Sequence, residues 1–141
     1  MIVELREVRP GDAEAVFATL RARDVGRISL PEVKEAADSS IYALVGTIDG
    51  RPAVMCAARL ASILDDRAYI WLLGTSLIDR YPIVFLRHSR RMLALLTARF
   101  PCIYGQVECD FAASERWLRW LGCDFLTDDG QTKVFRWVSR Q

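Results

Sequence analysis

The sequence predicts a single α/β domain over residues 1–141, in which about seven strands and about four helices follow one another in the order β-α-α-β-β-β-α-β-α-β-β. The composition, with 52% hydrophobic and 26% charged residues and a net charge of +1, is typical of one compact domain. No internal repeat, linker or low-complexity tract interrupts this order. A chain of this length buries roughly 68% of its unfolded surface, so its core needs no metal or disulfide support.

The first predicted elements are a strand and two helices. Residues 2–8 alternate between apolar and polar side chains, as in a half-buried strand. Asp12 follows a Pro-Gly turn and is placed to cap a helix in which apolar residues recur at helical spacing. Ser29 and Glu32 have the spacing of a capping box, which predicts a second, short helix that ends near residues 38–40.

A hairpin and a buried strand are predicted next. Strand-like segments over 41–48 and 52–60 are joined by Asp49-Gly50, a dipeptide that is a strong signal for a hairpin turn. Residues 68–73 are almost continuously apolar, which indicates a central strand buried on both faces. This strand ends at Gly74-Thr75-Ser76, where the backbone has room to approach another group closely.

The last part of the chain predicts two helices and three strands. Apolar residues at helical spacing, interleaved with arginines, predict a long helix over 85–100. A strand over 102–109 leads into a second helix, which Gly122 terminates. Strands over 123–126 and 132–138 then form a closing hairpin.

The charges and cysteines exclude several classes of function. Nineteen basic residues, seventeen of them arginine, balance eighteen acids, so we expect no strong binding of duplex nucleic acid. No apolar segment reaches the ~20 residues of a membrane span, and we expect a water-soluble, cytoplasmic protein. The cysteines contain no C-x-x-C pair, and the chain has one histidine. We therefore expect reduced structural thiols and no metal site.

Three segments resemble parts of the GNAT acetyltransferase fold. They are Trp71-Leu72-Leu73-Gly74-Thr75, Phe85-Leu86-Arg87-His88-Ser89-Arg90-Arg91 and Trp117-Leu118-Arg119-Trp120-Leu121-Gly122. Together with the element order, they are similar to this fold from end to end, and within it to the acetyltransferase-like proteins of tailed bacteriophages. The resemblance implies a mixed, mostly antiparallel sheet with splayed central strands. It also implies acetyl-CoA or CoA as cofactor and a role among internal virion proteins.

The resemblance places a CoA pyrophosphate at the start of the long helix, where helix N–H groups and the macrodipole favour an anion. The positions of the family's glycines fall near Phe85, Arg87 and Ser89, so no glycine cradle is present. Arginine side chains are the expected replacement. The candidate cofactor-binding residues are Leu73, Gly74, Thr75, Arg80, Arg87, Arg90 and Arg91.

The family's general acid is a tyrosine in the last helix, and the matching position here is Leu118. Candidate catalytic residues are Glu108, as a base, and Tyr104, because strand alternation places both on one face with Gln106. Glu108 is equally compatible with an ordinary strand carboxylate paired with an arginine. His88 and Ser89 point about 100° apart on a helix, so they do not form a nucleophile and base pair.

Three functions follow as hypotheses from these observations. The leading one is a GNAT-fold protein that has lost efficient catalysis and acts in virion assembly or as an internal virion component with other virion proteins. The second is an active acetyl-CoA-dependent N-acyltransferase on a small-molecule amine or a protein acceptor. Holding a thioester against an amine lowers the activation free energy of the transfer by about 7–11 kcal/mol at best. This effect needs no acid group from the protein. The third is a module that binds CoA without turnover.

Overall fold

A computed structural model describes residues 1–60, 64, 66–108 and 112–138, with the side chain of Glu108 left out. Within these residues there are seven strands and five helices. They are β1 (Val3–Glu7), α1 (Asp12–Ala18), α2 (Leu30–Asp38), β2 (Tyr42–Ile48), β3 (Arg51–Leu60), β4 (Arg67–Gly74), α3 (Ser76–Arg80), α4 (Pro82–Arg99), β5 (Cys102–Glu108), α5 (Ala112–Trp120), β6 (Asp124–Asp128) and β7 (Thr132–Val138). None of the described helices is long and apolar enough to span a membrane.

The seven strands form one sheet in the order β1-β2-β3-β4-β5-β7-β6. The pairs β1–β2, β2–β3, β5–β7 and β6–β7 are antiparallel, whereas β4 and β5 are parallel. The register of β4 with β5 runs from Arg67 opposite Cys102 to Tyr69 opposite Tyr104. The expected mixed, mostly antiparallel sheet is therefore confirmed.

The chain divides into two compact units, called unit 1 (Met1–Arg59 and Trp71–Arg87) and unit 2 (Leu60–Ile70 and His88–Gln141). In unit 1, α1 and α2 pack on the sheet through Val16 and Val33, which meet Met55 and Leu73. Burial of such side chains contributes roughly 1.5–3 kcal/mol each. This cluster fixes the end of β4, from which the candidate cofactor residues follow.

The core of unit 2 lies between α5 and the strands β5, β6 and β7. Leu118 packs with Cys123 and Phe135, and the partly buried Trp117 and Trp137 border this cluster. The Phe135 ring lies directly over Gly105, where a Cβ atom would come within 3.0 Å of three ring atoms. Trp117 and Trp137 are thus packing residues at the border of this core.

Four details differ from the sequence-based expectations. Gly11, not Asp12, caps α1, because Gly11 adopts φ +93° and the Asp12 carboxylate turns to Arg6 instead. The five-residue helix α3 was not predicted, since it is too short to show a periodicity. Helix α4 begins at Pro82, which needs no N–H partner at a first helical position. Strand β6 extends to Asp128. The predicted end of β5 at Cys109 lies outside the described residues.

Candidate functional site

The end of β4 is held by internal contacts of unit 1. Leu73 is buried in the core with Val16 and Met55. Gly74 leaves space for the side chain of Ile78, since a Cβ atom on Gly74 would lie 2.5 Å from the Ile78 Cδ1. The close approach expected at this glycine is therefore made by a neighbouring side chain of the same unit.

Thr75 is fully buried and forms the N-cap of α3. Its hydroxyl accepts a hydrogen bond from the Leu77 N–H at 3.3 Å and donates one to the Pro52 carbonyl at 2.8 Å. Its own N–H donates to the Ala53 carbonyl at 2.9 Å. Thr75 thus anchors α3 to β3, and a ligand contact by Leu73, Gly74 or Thr75 stays a prediction.

The start of α4 follows α3 after one residue, Tyr81, whose carbonyl accepts the Phe85 N–H at 3.1 Å. Helix geometry leaves the first N–H groups of α4 without partners inside the helix. Pro82 has no N–H, so the open donors are those of Ile83 and Val84. The first turn contains no acidic residue, which leaves the positive end of the helix uncompensated.

Two arginines flank this helix start, and both are exposed. The Arg80 guanidinium lies 5.4 Å from the centre of the Tyr81 ring, and Arg87 lies one turn into α4. The neighbouring carboxylate, Asp79, is neutralised by two hydrogen bonds from Arg21 at 2.8 and 3.1 Å. These donors fit an anionic group such as the phosphates of CoA, although no glycine widens the cradle.

Arg90 and Arg91 lie farther along α4, in unit 2. The Arg90 guanidinium stacks over the Trp120 ring at 4.1 Å, a cation–π contact between α4 and α5. The Trp120 side chain is 45% exposed. Arg91 is exposed on α4. Cofactor binding by either arginine stays a prediction.

The position that matches the family's general acid is buried in the core of unit 2. Leu118 is 5% exposed and packs against Cys123 and Phe135. Its neighbour Trp117 directs the indole Nε1–H to the hydroxyl of the buried Ser89, at 3.1 Å. Leu118 has no proton to donate, and the indole N–H of the adjacent Trp117 is used in the hydrogen bond to Ser89.

The candidate catalytic residues lie on β5 in unit 2. Tyr104 is half-buried, and its ring centre lies 5.7 Å from that of Tyr69 on β4. Gln106 is exposed, and Glu108 pairs through its backbone with Thr132. The side chain of Glu108 lies outside the described residues, so its role as a base stays a prediction.

Sequence reasoning missed the neighbours of Tyr104. The register of the sheet places Tyr69 beside Tyr104 on β4 and Arg136 beside it on β7. A contact between strands so distant in the chain depends on register, which the sequence pattern alone does not specify.

Two of the described cysteines, Cys56 and Cys123, are buried thiols. Burial raises the pKa of the Cys56 thiol to about 12. Burial, with a smaller contribution from Asp124, raises the pKa of the Cys123 thiol to about 11. Both thiols are therefore protonated at neutral pH, whereas the thiolate is the reactive form. Among the described residues no group of three or more His, Cys, Asp and Glu side chains is arranged to hold a metal ion.

Comparisons with known proteins show which known fold this chain shares. No family model and no curated protein matches the sequence. Ard1 from Thermoplasma volcanium matches all of this chain and all of its own, with 14% identity and a TM-score of 0.81. The ribosomal-protein-S18-alanine N-acetyltransferase from Escherichia coli matches 97% of this chain and 94% of its own, with 14% identity and a TM-score of 0.72.

A third similar structure is the aminoglycoside acetyltransferase AAC(6')-Ib in complex with coenzyme A. It matches 97% of this chain and 95% of its own, with 15% identity and a TM-score of 0.69. Further matches are described as GNAT domains or GNAT-family acetyltransferases. At such low identities the similarity shows the fold. The chain has the GNAT fold, as the sequence predicted, and none of the structures named here is a virion protein.

Proposed function

We propose that this protein binds CoA or acetyl-CoA at the start of α4 and transfers the acetyl group slowly or not at all. The second half of this proposal, that acetyl transfer is slow or absent, rests on one observation. Leu118, at the position of the family's general acid, is a core residue that is 5% exposed and packed against Phe135. A leaving thiolate receives no proton from such a side chain.

The first half of the proposal, that the protein binds CoA, rests on hydrogen-bond donors of unit 1. The N–H groups of Ile83 and Val84 would hold the pyrophosphate, with Arg80 and Arg87 beside it. When bound, acetyl-CoA supplies an acetyl group activated as a thioester. Arg90 and Arg91 belong to unit 2, where Arg90 contacts the Trp120 ring, and phosphate binding by these two arginines stays a separate prediction.

An active N-acyltransferase is the second candidate, and Tyr104 supports it. The Tyr104 side chain is half-buried and lies beside Tyr69 of β4. Tyr104 itself is on β5, the strand that also carries Glu108. In this reading Glu108 or a water molecule would accept the proton of an amine, and the transfer would depend on positioning alone. The virion role implied by the phage resemblance also stays a prediction.

Thermal unfolding with and without ligand tests the proposal. We expect CoA and acetyl-CoA at about 100 times their dissociation constants to stabilise the protein by about 2.7 kcal/mol, or several degrees, while ATP has a smaller effect. A thiol-release assay with a panel of amines should give turnover no faster than the uncatalysed reaction. No shift at millimolar CoA would refute cofactor binding, and rapid saturable thiol release would establish the enzyme.

A further inference from the structure

A row of four side chains crosses the sheet of unit 2. The strand register places Tyr69 opposite Tyr104, Tyr104 opposite Arg136, and Arg136 opposite Asp124. Directly paired residues point to the same side of a sheet, so these four side chains, called the cross-strand row, lie on one face. Across β4, β5, β7 and β6, two aromatic rings are followed by a cation and then by an anion.

The cross-strand row lies on the face of unit 2 that α5 does not cover. Helix α5 packs on the opposite face, through Leu118. Tyr69 is 45% exposed, and the side chains of Arg136 and Asp124 are 37% and 73% exposed. The Arg136 Nη2 lies 3.9 Å from the Asp124 carboxylate, which is beyond hydrogen-bond distance. The row is therefore a surface whose charged groups remain able to bind a partner.

Two further residue pairs lie on the same face, one on each side of the cross-strand row. Cys102 pairs with Val138, and Gln106 pairs with Val134, across β5 and β7. Each is two positions along its strand from the row and therefore points to the same side. Val138 is 47% exposed, and Gln106 is also exposed. The face thus has accessible apolar area directly beside its charged groups.

The order of the cross-strand row is complementary to the same order reversed. A two-fold axis that runs between β5 and β7, parallel to the strands, sets a second copy face to face with the first and reverses its row. Tyr104 of one copy then meets Arg136 of the other, and Tyr69 meets Asp124. A guanidinium is attracted to an aromatic ring, and a tyrosine hydroxyl donates a hydrogen bond to a carboxylate. The symmetry forms each of these contacts twice.

The charges distinguish this axis from the alternative one. An axis perpendicular to the strands would set Arg136 against Arg136 and Asp124 against Asp124, and like charges that meet at an interface oppose association. The axis parallel to the strands avoids both encounters. It also sets Val138 against Cys102 of the other copy and removes this exposed valine from water. Sheets packed face to face lie about 10 Å apart, a gap that tyrosine and arginine side chains can fill from both sides.

We propose that this face of unit 2 binds a second copy of the chain, in a two-fold dimer in which Tyr104 contacts Arg136 and Tyr69 contacts Asp124. Arg67 lies 6.0 Å from the centre of the Tyr104 ring and has a further interaction within its own chain, so no contact between the copies is assigned to it. The dimer covers Tyr104, a candidate catalytic residue, which the monomer leaves accessible. Dimer formation does not depend on the proposed CoA site, which lies in unit 1.

Sedimentation equilibrium of the full chain without CoA, at concentrations up to millimolar, measures this association. We expect the mean mass to rise from that of one chain to that of two. Tyr69→Asp sets a carboxylate against Asp124 of the other copy, and Arg136→Gln removes the guanidinium. Each should raise the dissociation constant of the dimer by about tenfold or more. Arg116→Gln, on the exposed surface of α5, changes the net charge as Tyr69→Asp does and should associate as the wild type does. A mass that stays at one chain, or unchanged association in Tyr69→Asp, would overturn the proposal.

Cross-linking tests how the two copies are oriented. Chains that carry Tyr69→Cys are mixed with chains that carry Asp124→Cys, and a short bifunctional maleimide is added. The mixture should give a covalent dimer joined through positions 69 and 124, as identified by peptide mass spectrometry, because the two-fold axis brings these positions together. The unaltered chain and each variant alone are the controls and should lack this product. A dimer without the link between positions 69 and 124, or one linked through position 69 of both copies, would contradict the proposed axis.

Discussion

The indole Nε1 of Trp117 donates a hydrogen bond to the hydroxyl of Ser89 at 3.1 Å. Ser89 is 2% exposed on α4, so this bond joins α4 to α5 inside unit 2. It fixes the turn of α5 that carries Leu118 toward Phe135. Trp117, the residue next to the family's general-acid position, therefore has a packing role.

Replacing Trp117 by Phe should lower the free energy of unfolding by about 1–3 kcal/mol. The substitution leaves the buried Ser89 hydroxyl without this donor and removes part of the packed ring. Chemical denaturation measures the change. Trp120→Phe, on an exposed ring of the same helix, is the matched control and should cost less; equal losses would contradict a structural role for this bond.

Restoring a tyrosine at position 118 should destabilise the protein and leave acetyl transfer unimproved. Leu118 is packed against Cys123 and Phe135, and extra atoms in a well-packed core cost about 1–3 kcal/mol. Denaturation and thiol release measure both effects. Leu118→Met, which nearly conserves volume, is the control. A large gain in turnover in Leu118→Tyr would mean that only the acid had been lost.

Charge reversal at the start of α4 should weaken CoA binding. Arg80→Glu and Arg87→Glu each remove a cation beside the helix N-terminus, and we expect an affinity loss of more than about tenfold for each. Calorimetric titration with CoA measures it. Arg116→Glu changes the net charge by the same amount on α5 and should bind CoA as the wild type does. Equal losses of CoA affinity in all three variants would indicate a general effect of net charge.

The stability of unit 1 should depend on acid pH through Asp12. The hydrogen bonds from Arg6, at 2.8 and 3.0 Å, lower the pKa of this buried carboxyl below its ordinary value of 3.8, and the Arg9 N–H adds to this. A lowered folded-state pKa gives stability that is present above the unfolded value and is lost as the pH falls through the folded value.

Asp12→Asn should therefore unfold more easily than the wild type at pH 7, by about 1.5–3 kcal/mol. The difference should shrink below about pH 4 and vanish in stronger acid, as measured by denaturation at a series of pH values. Glu14→Gln alters an exposed ion pair with Lys34 and should have little effect. A difference that stays constant with pH would exclude the Arg6–Asp12 pair as its cause.

Much of the fold could be predicted because its signals are local. The capping box of Ser29 and Glu32 forms as predicted, and Asp49-Gly50 makes the hairpin turn with both φ angles positive. Asp12 was assigned the wrong role because its partner, Arg6, lies on β1 and competes with the helix cap. Local spacing does not reveal such a competitor.

The candidate site was less predictable because it depends on pairing between distant segments. The absence of glycine before α4 and the leucine at position 118 are visible in the sequence. The pairing of Tyr104 with Tyr69 and Arg136 is not, because strand register brings these residues together. The Ile78 side chain that fills the space at Gly74 also depends on the short helix α3.

Equilibrium dialysis with acetyl-CoA labelled in its acetyl group tests the central claim most directly. The protein should retain the label as intact acetyl-CoA, CoA should displace it, ATP should displace it far less, and added amines should not become labelled faster than in buffer. Equal label on both sides of the membrane would contradict cofactor binding. Rapid labelling of an amine would contradict the loss of catalysis.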